Sequence, residues 1–469
     1  MGFPTDFHWG AASAAYQVEG AVNDDGRGLS VWDMLVRTPD AIYRGHTGNV
    51  ACDHYHRYQK DVNLMQEIGL KAYRFSVSWS RVIPEGVGAI NEKGIGFYDR
   101  LIDALLAANI EPYLTLFHWD YPYALYQKGG WLNPDSPKWF ADYTQVIVDA
   151  LSDRVSYWMT LNEPQVFISL GHQTGEHAPG DEHNLPEITH IMHNVLLAHG
   201  HSVKVIRERA KKTPIVGAAP VGTCFAPATN RPEDIEAARK LTFEATNIWS
   251  ASLFSDPMFF GKYPDDAFEA FGSTLHELQN DGMDIIQQPL DFFGCNIYQV
   301  FGFVETQDDG SVSVRTRQSH IDGYPMSLFD WPLTPEALYW GSKFFYERYK
   351  KPIVVTENGI SSMDWLTLNG DVPDYQRIDY MKRYLMSLRD VIDDGVDVRG
   401  YMHWSIMDNF EWAEGYKQRF GLIHVDYATQ KRTLKQSAYW YRDLIASNGE
   451  TLPTMEYRPV PIDKDHATA

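Results

Sequence analysis

Two short apolar runs in this chain stop on a glutamate. SYWMTLNEP, residues 156–164, places Asn162 and Glu163 directly before Pro164, and IVVTENG, residues 353–359, reaches Glu357 before its closing Asn-Gly. An ionisable acid at the edge of a buried strand is costly unless it is paired or used. Singly, each run has a plain reading, because strands commonly leave a core through a polar residue and a Pro or Gly turn. Together, two carboxyl groups facing each other across a pocket suit cleavage of a glycosidic bond. One is protonated and helps the leaving oxygen depart, while the other is ionised and attacks or stabilises the oxocarbenium-like carbon. That division needs unlike surroundings. Glu163 is expected to be held protonated by apolar neighbours and by the charge of Glu357, and Glu357 to be held ionised by Arg74 and Tyr298. Their separation sets the stereochemistry: about 5–5.5 Å for retention of configuration, roughly 6.5–9.5 Å for inversion.

The elements that must position these acids are legible as an alternation. FYDRLIDALLAAN (97–109) carries Phe97, Leu101, Leu105 and Ala108 at helical spacing with Asn109 as a C-terminal stop, and PYLTLFHW (112–119) follows at once. DVNLMQEIG leads likewise into KAYRFSVSW, and YMKRYLMSLRDVIDDG into VRGYMHWS. Eight runs read as strands: 7–12, 72–79, 112–119, 157–163, 214–220, 291–298, 352–358 and 399–405. Helical patterns between them imply parallel strands buried on both faces. The expected fold class is therefore α/β, a single (β/α)8 TIM barrel with extended βα loops forming the mouth. The rival, a doubly wound open sheet, lacks a GxGxxG turn after the first strand. In a barrel the chemistry belongs at the C-terminal strand ends. Those ends and the loops beyond them supply Gln17, Glu19, Arg74, His118, Trp119, Asn162, Glu163, Asn296, Tyr298, Glu357 and Trp404.

Composition narrows the partners. With 44% apolar and 22% charged residues the chain supports a large core, and 62 acidic against 41 basic residues give a net charge of −21. Such a surface disfavours nucleic acid and anionic lipid, and no run approaches the roughly 20 apolar residues that span a bilayer. The 14 Trp and 27 Tyr serve either core filling or stacking on sugar faces. Cys52, Cys224 and Cys295 are scattered without CxxC spacing, so neither a disulfide framework nor a zinc site is expected. The opening MGFPTDFHWGAAS lacks a secretory pattern, and a reduced, cytoplasmic setting is expected. The H-x-H pair His54/His56 precedes a helix without a matching carboxylate cluster. No metal and no cofactor is expected. Residues 1–450 are read as one catalytic barrel and 451–469 as a C-terminal extension ending in the solvated tail DKDHATA.

TLNEP and TENG, with FHWGAASAAYQVEGA, AYRFSVSWSR, HWDYP, HAPG and DNFEWAEGYKQRFGLIHVDY, closely resemble the family 1 glycoside hydrolases, in particular β-glucosidases, from about Phe3 to about Leu444. The resemblance implies a (β/α)8 barrel and retaining hydrolysis of β-linked sugars, with small β-glucosides and cello-oligosaccharides as partners. It assigns Glu163 as acid/base and Glu357 as nucleophile. It gives Gln17, His118, Trp119, Asn162, Glu411 and Trp412 to the hydroxyls of the terminal sugar, and Trp404 to the floor beneath its ring. Arg74, Asn296 and Tyr298 support the carboxyl groups, Trp331 faces the aglycone, and Phe420 joins the sugar-binding set. A negative Glu411 would accept hydrogen bonds from the sugar and repel a 6-phosphate. An intact Glu163 argues against a thioglucosidase. Tyr121 stands where a leucine is common and is expected to alter the wall of the entrance, and residues 301–329 are expected to rim the same mouth. β-Galactosidase or β-fucosidase activity, a sugar-binding barrel without turnover, a metal-dependent barrel hydrolase and the oligomeric state are left open.

Overall fold

All eight runs form strands: β1 (His8–Ala12), β2 (Ala72–Ser76), β3 (Glu111–Phe117), β4 (Tyr157–Asn162), β5 (Ile215–Ala219), β6 (Phe293–Asn296), β7 (Ile353–Asn358) and β8 (Val398–Trp404). The computed structural model describes residues 2–316 and 325–453. The parallel ladder runs β5-β4-β3-β2-β1-β8-β7-β6. The ring closes between β5 and β6: the Asp291 amide donates to the Val216 carbonyl at 2.8 Å, the Asn296 amide to Pro220 at 3.1 Å, and Val221 bridges Asn296. The strands are buried almost throughout, as helix-covered parallel strands must be.

The helices between strands obey their sequence signals. Glu92–Ala107 buries Phe97, Leu101 and Leu105, and the chain turns out of it at Asn109, whose φ is +58°. The long helix Leu185–Arg209 starts at a reciprocal cap between Asn184 and Glu187, with a proline in its first turn. It packs on Ser136–Leu151, where the Thr144 and Ser202 hydroxyls meet at 2.9 Å. No described helix is long and apolar enough to cross a membrane.

Side-chain layers fill the barrel. Near its N-terminal end Tyr113 and Tyr157 stack with centroids 4.1 Å apart, and the Tyr113 hydroxyl meets His8 Nδ1 at 2.6 Å. One layer up, Thr115 accepts from Arg74 Nε at 3.1 Å. The ladder shifts register at both glutamate-bearing strands, between Met159 and Asn162 on β4 and between Val355 and Glu357 on β7. A bulge re-aims the residue that follows it, so both glutamate-bearing ends leave the alternation that precedes them. Gly359, which closes TENG, lies so near β8 that a Cβ there would stand 1.8 Å from the Trp404 carbonyl oxygen.

Residues 301–329 hold strands that alternation did not predict. Val300–Thr306 and Val312–Arg315 form an antiparallel pair that joins Cys224–Pro227 in a separate small sheet. Residues 317–324 of this stretch, and 454–469 of the expected C-terminal extension, lie outside the described residues.

Candidate active site

At the C-terminal ends of the strands lies a cleft of about 590 Å³. Its walls include both glutamates together with His118, Trp119, Asn296, Tyr298, Trp331, Trp404, Glu411, Trp412 and Phe420. Gln17, Arg74 and Asn162 lie behind this surface, fully or almost fully buried, and act on the wall from below.

Arg74 organises the floor. Its Nη1 donates to Glu357 Oε1 at 2.5 Å, and its Nη2 to Asn162 Oδ1 at 2.6 Å. Asn162 Oδ1 also accepts from Asn296 Nδ2 at 3.0 Å, and Asn296 Oδ1 accepts from the Thr356 hydroxyl at 2.6 Å. With its oxygen occupied twice, the Asn162 amide must turn its Nδ2 towards His118 Nε2, 3.0 Å away. That nitrogen is therefore the acceptor, and the His118 proton sits on Nδ1. Burial pushes the His118 pKa well below the ordinary imidazole value, so the ring is neutral. Glu163 opens the helix Pro164–Ile168 with φ +43°, left-handed backbone that lifts its side chain off the strand axis. Trp119, at φ +77°, donates its indole N–H to the Asn162 carbonyl at 3.0 Å.

The two glutamates have unequal surroundings. Burial first, then the charge of Glu357, push Glu163 well above the usual carboxylate range, against smaller opposing effects of Asn296 and Arg74. Glu357 is also raised, because burial outweighs Arg74, Tyr298 and Asn296, all of which favour its charged form. Tyr298 donates to Glu357 Oε2 at 2.8 Å. A proton shared by this pair resides on Glu163, since Glu357 holds the stronger donors. Removing Arg74 would leave a buried carboxylate unpaired, a loss of about 3–5 kcal/mol for such pairs.

Glu411 corrects one expectation. It accepts from Gln17 Nε2 at 3.2 Å, yet burial and then the Glu357 charge raise its pKa to about 8. The shift favours its protonated form, against the negative charge expected there. Tyr121 is a second correction. The backbone reverses at Trp119 and sends Tyr121 into the core, 4.9 Å from the Trp131 ring and 5.3 Å from Trp79, away from the cleft wall. The His54/His56 pair does not converge: His54 Nδ1 meets Asp61 at 2.8 Å in the interior, whereas His56 sits outside on Asp53.

Sequence reasoning missed several wall residues, among them Glu176, His177, Thr223 and Trp249, whereas Phe301 and Phe329, from the stretch expected to rim the mouth, do line the cleft. His177 lies within HAPG, a motif that marks the position without revealing the direction of the ring. It packs 5.7 Å from Trp119 and is neutral, its pKa lowered to about 4 by burial. Phe329 stacks on Trp331 with centroids 4.8 Å apart. Trp249 follows no periodic pattern, and nothing in its neighbourhood could have singled it out.

The family model described as "Glycosyl hydrolase family 1" matches residues 1–450. A 1,4-beta-D-glucan glucohydrolase of Thermotoga neapolitana is 44% identical over 451 residues, covering 96% of this chain and 99% of the relative. Beta-glucosidase A of Acetivibrio thermocellus is 43% identical over 450 residues, covering 95% and 99%. Among solved structures, the beta-glucosidase from Thermotoga maritima in complex with deoxynojirimycin matches with a TM-score of 0.87 at 41% identity, covering 96% of this chain and 99% of that one.

Proposed function

This chain belongs to glycosyl hydrolase family 1 and hydrolyses β-glucosides with retention of configuration, and we propose that Glu163 and Glu357 carry the two displacement steps. Supporting this is the unequal provision of donors to two carboxyl groups that line one cleft: Arg74, Tyr298 and Asn296 all favour charge on Glu357, while burial and that charge keep Glu163 protonated. In the first step a Glu357 oxygen bonds to the anomeric carbon as the bond to the glycosidic oxygen breaks, and Glu163 gives its proton to that oxygen. The leaving alcohol departs and Glu357 becomes a neutral ester. With the neighbouring charge consumed, the pKa of Glu163 falls. Glu163 then takes a proton from water, the water oxygen bonds to the anomeric carbon, and Glu357 is released.

The cleft favours unphosphorylated sugars. Glu163, Glu176, Glu357, Glu411 and Glu414 line it, no lysine or arginine does so among the described residues, and both lining histidines are neutral. A phosphate would find no cation. Trp331, Phe329 and Trp249 offer aromatic faces beyond the acids, suited to stacking a further sugar or an aryl aglycone. Short cello-oligosaccharides and aryl glucosides are therefore the proposed substrates. Glu357→Gly should abolish hydrolysis, and azide should restore turnover by forming a glycosyl azide of inverted configuration, followed by NMR. Unimpaired hydrolysis in that variant refutes the assignment.

A further inference from the structure

Outside the cleft, one cluster combines imidazole and carboxylate. His172 follows the short helix after β4, and Asp181 and His183 lie just before the helix Leu185–Arg209. One ligand atom of each lies within 4.8 Å of the others, the only such grouping among the described residues. Asp181 Oδ2 is 3.3 Å from His172 Nδ1 and 3.4 Å from His183 Nε2. Two ligands on tetrahedral zinc, with bonds of about 2.0–2.1 Å, stand about 3.3–3.4 Å apart.

The surroundings match what a bound ion requires. A metal-ligating histidine turns its second nitrogen to a carboxylate, and a ligating carboxylate is itself hydrogen-bonded. His183 Nδ1 meets Glu187 Oε2 at 3.2 Å, and the Tyr126 hydroxyl donates to Asp181 Oδ1 at 2.8 Å. The two backbone segments are already pinned: the Asp181 amide donates to Gly171 at 3.0 Å and the His183 amide to His172 at 2.8 Å. Hydrogen counting points the same way. His183 faces a carboxylate at each ring nitrogen, whereas a neutral imidazole has one N–H. Serving one carboxylate leaves two lone pairs opposed at the other, unless a cation stands between them.

We propose that His172, Asp181 and His183 bind a divalent transition ion of the zinc class, which fastens the two ends of the segment carrying Glu176 and His177. Imidazole with carboxylate suits zinc, and water completes the coordination. Because Glu176 and His177 stand on the cleft wall, the ion acts on the reaction only by stiffening the mouth.

The test uses the full chain, stripped with EDTA and titrated with Zn²⁺ alone by calorimetry, with Co²⁺ as a spectroscopic probe. Expected are a single tight equivalent, a raised Tm and a visible tetrahedral Co²⁺ band. His183→Gln should lose the equivalent and the band while keeping the Tm of the stripped parent. Glu187→Gln should weaken binding by about 10–100-fold, the usual effect of removing such a partner. Absence of a tight equivalent in the parent overturns the proposal, for the cation is then a ring proton. Undiminished binding in His183→Gln overturns it too, by placing the ion elsewhere.

Discussion

Tyr298→Phe isolates one of the three donors to Glu357 while leaving the ring in place. The phenol donates to Glu357 Oε2 at 2.8 Å inside a buried wall. Its own pKa is pushed well above the ordinary phenol value, by burial first and then by the Glu357 charge, so it remains a donor throughout the working pH range. A hydrogen bond to a charged group contributes about 1.5–3 kcal/mol. At 1.36 kcal/mol per pKa unit, losing it should raise the pKa of Glu357 by about 1–2 units. The sign follows from which form is favoured: the donor stabilises the carboxylate, so removing it favours the acid, and attack requires the carboxylate. The acidic limb of kcat/KM against pH, which reports the free enzyme, should move to higher pH by that amount. The basic limb, set by Glu163, should move less, and the active window narrows. An aryl β-glucoside assayed from pH 4 to 9 in constant ionic strength measures both limbs. An acidic limb that coincides with that of the parent would refute the claim that Tyr298 tunes the nucleophile.

Glu163→Gln should depress turnover of substrates with poor leaving groups far more than of activated aryl glucosides, which need no protonation; equal losses in a leaving-group series would argue against an acid role. Leu101→Ala, at a fully buried position of the helix Glu92–Ala107, should lower stability by about 2–5 kcal/mol in urea or thermal unfolding. A loss below 1 kcal/mol would mean that the site collapses around the deletion.

Much of this molecule is written locally. Strands and helices follow from runs of apolar residues and their stops, as when Leu101 and Leu105 face inward and Asn109 ends their helix. Parallel strands joined by helices close into a barrel whose C-terminal ends must carry the chemistry, so Glu163, Glu357 and Asn296 were legible as residue types at strand ends, whereas Arg74 lies in the middle of β2 and reaches Glu357 by the length of its side chain. What their order along the chain could not convey is where those ends point and what they feel. The bulges on β4 and β7 depend on neighbouring strands, and the reversal at Trp119 that buries Tyr121 depends on the packing of Trp79 and Trp131. Protonation is less local still. Glu411 was expected to be charged, but its pKa is a sum over burial and the effects of Glu357, Gln17 and Trp404, which come from three separate strands and their loops. The same holds for His172, Asp181 and His183, whose spacing resembles no metal motif. Only the backbone bonds between Gly171–His172 and Asp181–His183 bring their ligand atoms together. Residue type and period are properties of a segment, whereas fields and convergent side chains are properties of the folded whole.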